Sequence, residues 1–509
     1  MWSLLISLLA CADAVRKAQP GSPADTDSAG VTDSADTAGD SGAVEDTAPA
    51  TVAVGHRREL RGLFVATVYN IDWPSRSGLS AAASQAEIAG LLDTARAAGL
   101  NAIFLQVRAE GDALYASDLE PWSRVLTGSW NGDPGYDPLA VWVTEAHARG
   151  IELHAWFNPY RARAGSESSS GLPANHMARV LSQHAHAYSG DLWMDPGAED
   201  VRARVVAVIR DVATRYDIDG VVFDDYFYPY PDSAVGDFPD STTWNAYRAA
   251  GGSLARDDWR RENTSQLVRE VSVTLRSVRP SIRFGISPFG IWRPGYPAGI
   301  VGLDPYAELY ADPLYWTGEG WLDYLAPQLY WHTRDSGQEY GKLLPWWDDQ
   351  LPASVYLFAA NNLSALGDSA SWSLDEYAGE LAIARDPANA QSQGQLWYSA
   401  SPLLEDRAGV QAAFAERYYP TPAVPPVVQA LAGTSQALPS FTVQDGEVVW
   451  TSTASLRDVL VYAADGSGWA LERVVPATEG RVRLTAGRWA LSGLGAGNVE
   501  SAGVVVEVP

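Results

Sequence analysis

Between residue 60 and about residue 417 the chain repeats one pattern eight times: a short apolar run, then a longer stretch with apolar positions three and four apart. The apolar runs fall at 62–67, 102–108, 152–158, 220–225, 283–288, 324–330, 355–360 and 395–400. Between them lie helical patterns such as SQAEIAGLLDTARAAG, DPLAVWVTEAHARG and AEDVRARVVAVIRDVATRY, several followed by a Gly. Parallel strands need a crossover connection, and a helix laid back over the sheet supplies it. Eight such units predict an α/β chain folded as a (β/α)8 TIM barrel with inserted loops. A doubly wound open sheet is the competing architecture. It would bring a Gly-rich phosphate loop after the first strand, and the sequence there, VATVYNIDWPS, has none.

The flanks read differently. The opening MWSLLISLLA is too short to span a bilayer, and it ends in Leu8, Leu9, Ala10 and Cys11, which resembles the lipobox cut before a lipidated cysteine. Residues 1–10 are therefore expected to be a lipoprotein signal peptide, with Cys11 as the lipidation site and membrane attachment in the cell envelope, at the outer membrane or in the periplasm. The alternatives are ordinary secretion and a different start codon. Cys11 is the only cysteine, so no disulfide forms within the chain. Residues 11–57 are rich in Asp, Ser and Thr and cannot bury enough apolar surface to fold, which predicts a disordered tether. The barrel is expected over 58–417, followed by a Pro-rich linker at 418–426. From 427 to 509 short alternating runs such as GEVVWTST, DVLVYAA and AGVVVEV predict a small all-β sandwich of fibronectin type III kind, suited to spacing or binding.

The 36 basic and 62 acidic side chains leave a formal charge of −26, which excludes a polyanionic nucleic-acid partner. With 20 Trp and 23 Tyr, the chain is better suited to a ligand that is apolar on one face and hydroxylated at its edge, as a sugar is. There is no Walker loop, CxxC pair, HExxH motif or serine nucleophile elbow, so neither cofactor nor metal is expected.

In this barrel type the chemistry lies at the C-terminal ends of the strands. The fourth run leads into Asp224 and Asp225 and then Tyr226. An acidic pair directly after Val221, Val222 and Phe223 belongs at the barrel mouth, where charge is solvated or used, and strand alternation lets only one of the two face inward. The competing reading is an ion pair with a nearby Arg. The second run ends in Arg108, with Glu110 and Asp112 just beyond it. Glycoside hydrolysis needs two carboxyl groups flanking the scissile bond, and Glu110 is the expected partner of the Asp pair. Its alternative role is to order the loop through Arg108 or another base. The third run presents His154, Trp156 and Asn158 on one face, followed by Tyr160 and Arg161. A lone strand His is more often a hydrogen-bonded core residue, but these neighbours point to substrate contact. Asp72 after the first run, Trp292 after the fifth, Gln328, Tyr330 and Trp331 after the sixth and Asn361 after the seventh complete a polar and aromatic rim.

Taken together, LQVRAEGDALY, PGYDPLAVWVTEAHARGIELHAWFNPYR, DGVVFDDYFYPYP, FGISPFGIW and EGWLDYLAPQLYW resemble the glycosyl hydrolase-like 10 family, over about residues 58–420. The resemblance implies a (β/α)8 fold, an envelope location often reached as a lipoprotein, and cleavage of peptidoglycan glycan strands stripped of stem peptides. It places Glu110 in the family's block after the second strand, and Asp224 and Asp225 in its DD block. The expected activity is hydrolysis with Glu110 as general acid and Asp224 as nucleophile or base, Asp225 being the fallback for either role. A silent glycan-binding lipoprotein and a glycosidase for another polysaccharide are the rival readings.

Overall fold

The computed structural model describes residues 50–509 apart from 336, 370 and 454. Cys11, the expected signal peptide and most of the expected tether lie outside the described residues. Eight strands close into a parallel barrel: β1 (Leu60–Val65), β2 (Ala102–Arg108), β3 (Glu152–Phe157), β4 (Gly220–Phe223), β5 (Arg283–Ile286), β6 (Tyr324–Leu325), β7 (Tyr356–Asn362) and β8 (Ser392–Tyr398). Each overlaps one of the eight apolar runs, and β8 closes the ring on β1 by pairing Gly394 with Leu60 through Trp397 with Leu63.

The helices between them start where the sequence supplies side-chain acceptors for free backbone N–H groups. Ser80 caps Ala81–Ala97, Asp137 caps Pro138–His147 with Pro in the first turn, and Ser373 caps Leu374–Ala384. Their apolar faces pack on the outside of the barrel. The inside is filled by Phe64, Phe104, Trp156, Val222, Phe358 and Leu396, so the barrel is a solid core that opens only at its rim. Packing there is tight enough to require glycine at 220, where a Cβ would lie 2.1 Å from His154 Nδ1. Among the described residues no helix is long and apolar enough to cross a membrane.

After the barrel come two antiparallel sheets. One orders Phe441–Gln444, Glu447–Trp450 and Arg481–Arg483; the other orders Gly503–Val508, Gly487–Leu494, Asp458–Asp465 and Gly468–Pro476. Val448, Trp450, Val459, Val461, Trp489 and Leu491 fill the space between them. Thr51–Val52 adds a further strand to the second sheet by pairing with Val504 and Gly503. The tether expected over 11–57 therefore stops short of residue 51, and His56 and Arg58 are both held by Glu500. A polar average over the whole segment hides the short β-branched run TVAV, which finds a free sheet edge.

The β domain grips the floor of the barrel through buried charge. Asp219, just before β4, accepts from Leu153 N at 2.7 Å, from His147 Nε2 at 3.0 Å and from Arg457 of the β domain. Glu152, at the start of β3, accepts from Arg283 at 2.7 and 2.8 Å and from Asn498 Nδ2 at 2.7 Å. Burial opposes the ionisation of Asp219, but Arg457 and His147 outweigh it and hold the carboxyl well below its usual range. A carboxyl lowered in this way stabilises the fold above its unfolded pKa of about 4 and loses that contribution as the pH falls. Arg457→Met leaves Asp219 without its main counter-charge, and the expected loss is about 3–5 kcal/mol in urea unfolding at pH 7, shrinking towards pH 3. A loss under about 0.5 kcal/mol, the scale of an ordinary surface change, would show that the seam contributes little.

Candidate active site

The hydrogen-bonded part of β4 ends at Phe223, one residue before the acidic pair. Strand alternation consequently stops governing where the two carboxyls point, and the expectation that only one faces the mouth does not hold. Asp224 Oδ2 accepts from Asn158 Nδ2 and, at 3.2 Å, from Trp156 Nε1, both at the end of β3. Asp225 accepts from the Tyr230 hydroxyl and, through Oδ1 at 3.1 Å, from Gln328 Nε2 beyond β6. Burial, and next the charge of Asp225, push the Asp224 carboxyl up to about 7, against the opposing pull of Arg161, Tyr226 and Asn158. Burial also raises Asp225, with Tyr230 and Gln328 working the other way. Asp224 Oδ1 is buried and has no hydrogen-bond partner, so one oxygen of the pair is left free to carry a proton.

Gln106, an inward residue of β2 not singled out from the sequence, fixes how Asn158 meets Asp224. Its Oε1 accepts from the backbone N–H groups of Thr67 at 2.9 Å and Val68 at 3.0 Å. Its Nε2 is thereby turned to Asn158 Oδ1 at 2.6 Å, and Asn158 can only present its Nδ2 to Asp224 and to the Tyr226 hydroxyl at 2.9 Å. Arg161 stands beside this group, 5.1 Å over the Tyr226 ring and within reach of Asn158 Oδ1 at 3.5 Å. The legible signal for Gln106 is a polar side chain at an inward position of an otherwise apolar strand, which must have a buried partner.

Several expected site residues lie elsewhere, for identifiable reasons. Glu110 is fully buried, and its oxygens take Arg124 Nε at 2.9 Å, Arg124 Nη2 at 2.8 Å and Ala164 N at 2.7 Å, so no face remains for a glycosidic oxygen. The loop-ordering alternative describes it, with Arg124 as the base. A register shift in the pairing of β2 with β3, between Gln106 and Arg108, turns Arg108 away from the interior and onto Glu120 at 2.6 and 2.7 Å. Asp112 closes its own turn, accepting from Ala109 N and Glu110 N. His154 does share a face with Trp156 and Asn158, but that face runs from floor to mouth and His154 sits low on it, against Glu152 at 3.0 Å and the Phe104 ring. Tyr160 is buried in the layer between strands and helices. Asn361 alternates outward from Ala360 and donates to Glu380 at 2.5 Å. Asp72 is saturated by Ala66 N, Ser399 Oγ and Ser401, a clasp between the ends of β1 and β8. Trp292 packs beside Trp346 in a separate aromatic cluster.

What the structure brings together is Asp224, Asp225, Asn158, Tyr226, Arg161 and Gln328. Aromatic walls flank them. Tyr230, Phe289 and Trp331 form one, with ring centres 6.5 and 5.6 Å apart. Tyr330 stacks on Tyr398 at 6.0 Å to form the other, Tyr398 being a residue of β8 absent from the expected rim. Among the described residues no three His, Cys, Asp or Glu side chains are grouped to hold a metal.

The raised Asp224 has a measurable consequence. Between about pH 4 and 7 the folded chain keeps a proton that the unfolded chain has lost, so stability falls as pH rises through that window. Asp224→Asn removes the cost of ionisation and is expected to stabilise the fold by about 2–4 kcal/mol at pH 8, with little change at pH 4, in denaturant unfolding. An equal offset at both pH values would rule out this source.

The family model described as Glycosyl hydrolase-like 10 matches residues 59–371, more than half of the chain. Glycosyl hydrolase YngK of Bacillus subtilis (strain 168) is 37% identical over 394 residues, covering 76% of this chain and 76% of that protein. Glycosyl hydrolase DigH of Escherichia coli (strain K12) is 39% identical over 311 residues, covering 57% of this chain and 70% of that protein. Among solved structures, the PgaB (BpsB) glycoside hydrolase domain from Bordetella bronchiseptica is similar at 12% identity and a TM-score of 0.45, covering 70% of this chain and 98% of that one. The extent of the family match and the identity to YngK establish that this chain belongs to the Glycosyl hydrolase-like 10 family.

Proposed function

We propose that this protein is a glycoside hydrolase that cuts glycan strands, with peptidoglycan freed of stem peptides as the substrate. The carrying observation is the Asp224 and Asp225 pair at the mouth, in which burial and mutual charge push Asp224 to about 7. A carboxyl poised there still holds a proton near neutral pH, as the donor to a departing glycosidic oxygen must. Asp225, held by the neutral donors Tyr230 and Gln328, is the companion carboxylate that supports the developing positive charge on the sugar or activates its attacker. This assignment moves the proton donor from Glu110 to Asp224. Asn158 and Tyr226 position that donor, and the Tyr230, Phe289 and Trp331 wall offers faces for sugar rings.

The envelope location remains part of the proposal and rests on the sequence up to Cys11, which would carry the lipid. The C-terminal strands support the fibronectin type III reading by their order: first, second and fifth on one sheet, seventh, sixth, third and fourth on the other.

The test is incubation of the full chain with peptide-free peptidoglycan and identification of released fragments by mass. Asp224→Asn and Asp225→Asn should each lose about 10²–10⁴-fold in rate. Glu110→Gln should keep far more activity if it only orders the loop, and the limb of the pH profile near 7 should vanish in Asp224→Asn. Binding without cleavage by every form, on this glycan and on other polysaccharides, would replace the enzyme with a glycan-binding protein.

A further inference from the structure

Tyr69, in the loop after β1, has no part in the carboxyl cluster, yet several independent features converge on it. It is the most exposed of the described residues with large apolar or aromatic side chains apart from Val273, at 55%. Its backbone is left-handed, at φ 56° and ψ 17°, and Asn70 follows at φ 56°. Two successive non-glycine residues in that region are strained, and a glycine at 69 would relieve half of it. The fold instead holds the tyrosine there. Asn70 Nδ2 donates to Pro74 O at 2.9 Å and Val125 O at 3.0 Å, and Asn70 Oδ1 accepts from Ser77 Oγ at 3.1 Å. Gln106, which orients Asn158 against Asp224, also receives the N–H groups of Thr67 and Val68 that begin this turn.

The surroundings of the ring explain residues that the carboxyl cluster does not use. The Arg124 guanidinium lies 5.8 Å from the Tyr69 ring centre and is locked by Glu110. Glu110 also holds Ala164 N, and next to it Gly165, at φ +68°, lets the Tyr69 hydroxyl approach: a Cβ at 165 would lie 2.6 Å from it. The ring is thus braced by the loops after β2 and β3 and left open to solvent. Ala164 and Gly165 follow the same short hairpin strand that carries Arg161, whose guanidinium covers Tyr226 in the carboxyl cluster.

We propose that Tyr69 is a stacking platform for a pyranose ring of the glycan, on the β1 to β3 side of the Asp224 and Asp225 pair, opposite the wall of Tyr230, Phe289 and Trp331. The inference rests on the glycoside hydrolase reading and extends it: with aromatic faces on both sides of the acids, sugars on both sides of the scissile bond are held, and a long strand is gripped better than a short one. A flat aromatic face takes the apolar face of a sugar, and strain that fixes its angle spares the cost of ordering it on binding. Glu110 and Arg124 then act as positioning residues for the platform.

The experiment uses the full chain carrying Asp224→Asn and measures calorimetric binding of peptide-free peptidoglycan disaccharide and octasaccharide. Adding Tyr69→Ala should weaken octasaccharide binding about tenfold and leave the disaccharide within about twofold, whereas Tyr69→Phe, which keeps the ring, should match the parent. In the active chain, Tyr69→Ala should raise KM for long strands with kcat little changed. Octasaccharide binding unaffected by Tyr69→Ala, or weakened equally by Tyr69→Phe, overturns the platform while cleavage by the unmodified chain leaves the hydrolase reading standing. The expected length dependence without any cleavage keeps the platform and removes the hydrolase. A parent that binds neither glycan overturns both.

Discussion

The side-chain amide of Gln106 is the constraint around which the barrel mouth is arranged. It sits at the inward end of β2, cut off from water, so both of its ends must be matched. Two backbone N–H groups of the loop after β1 take its oxygen, which leaves its nitrogen for Asn158 and so dictates the orientation of the second amide. Asn158 in turn is a donor towards Asp224 and Tyr226. A chain of buried groups, each with one permitted orientation, carries order from the first loop to the carboxyl without any mobile side chain.

That arrangement explains why the architecture was legible in the sequence and the site only partly so. Strand and helix periodicity is set by burial, a property each residue expresses locally, and each of the eight apolar runs overlaps a barrel strand. Site membership depends on where a strand ends and on register, which are properties of neighbours. The pairing of β2 with β3 slips between Gln106 and Arg108, so a residue that alternation sends inward goes to Glu120 instead. β4 stops hydrogen bonding before Asp224, so alternation wrongly separates the acidic pair. Glu110 illustrates a third limit. Its type and position suit a proton donor, but its partner Arg124 lies fourteen residues on in a loop whose course no periodicity encodes. His154 shows that facing inward is not the same as facing the mouth, since depth along the strand decides between them.

Charge is distributed along the barrel axis in a way that follows from these contacts. At the floor the buried acids Glu152 and Asp219 are matched by Arg283, His147 and Arg457, with Asn498 completing the set from the β domain. At the mouth the buried acids Asp224 and Asp225 have only neutral donors within hydrogen-bond distance. Matched acids are held ionised and knit two domains together. Unmatched ones are driven towards their protonated forms, which is the condition for handling protons near neutral pH. The two ends of one barrel thus use the same residue types for opposite purposes, and the difference lies in whether an arginine is hydrogen-bonded to the acid: Arg457 and Arg283 bond Asp219 and Glu152, whereas Arg161 stands beside Asp224 without bonding it.

The β domain follows from the same division. A β sandwich tied to a barrel only by a Pro-rich linker would be free to move, and spacing or binding would be its natural uses. Here the sheet that meets the barrel also receives Thr51–Val52, so the polypeptide enters the barrel from the β domain and returns to it at the end. Cutting this domain away would strip Asp219 of Arg457 and Glu152 of Asn498, leaving both acids only their barrel partners. The mouth, by contrast, holds two destabilising features, a buried acid near its ionisation point, costing about 2–4 kcal/mol at pH 8, and a left-handed tyrosine, costing about 1–3 kcal/mol. The ion pairs that join floor and β domain help to offset such costs, which makes the β domain part of what lets the mouth remain strained and poised.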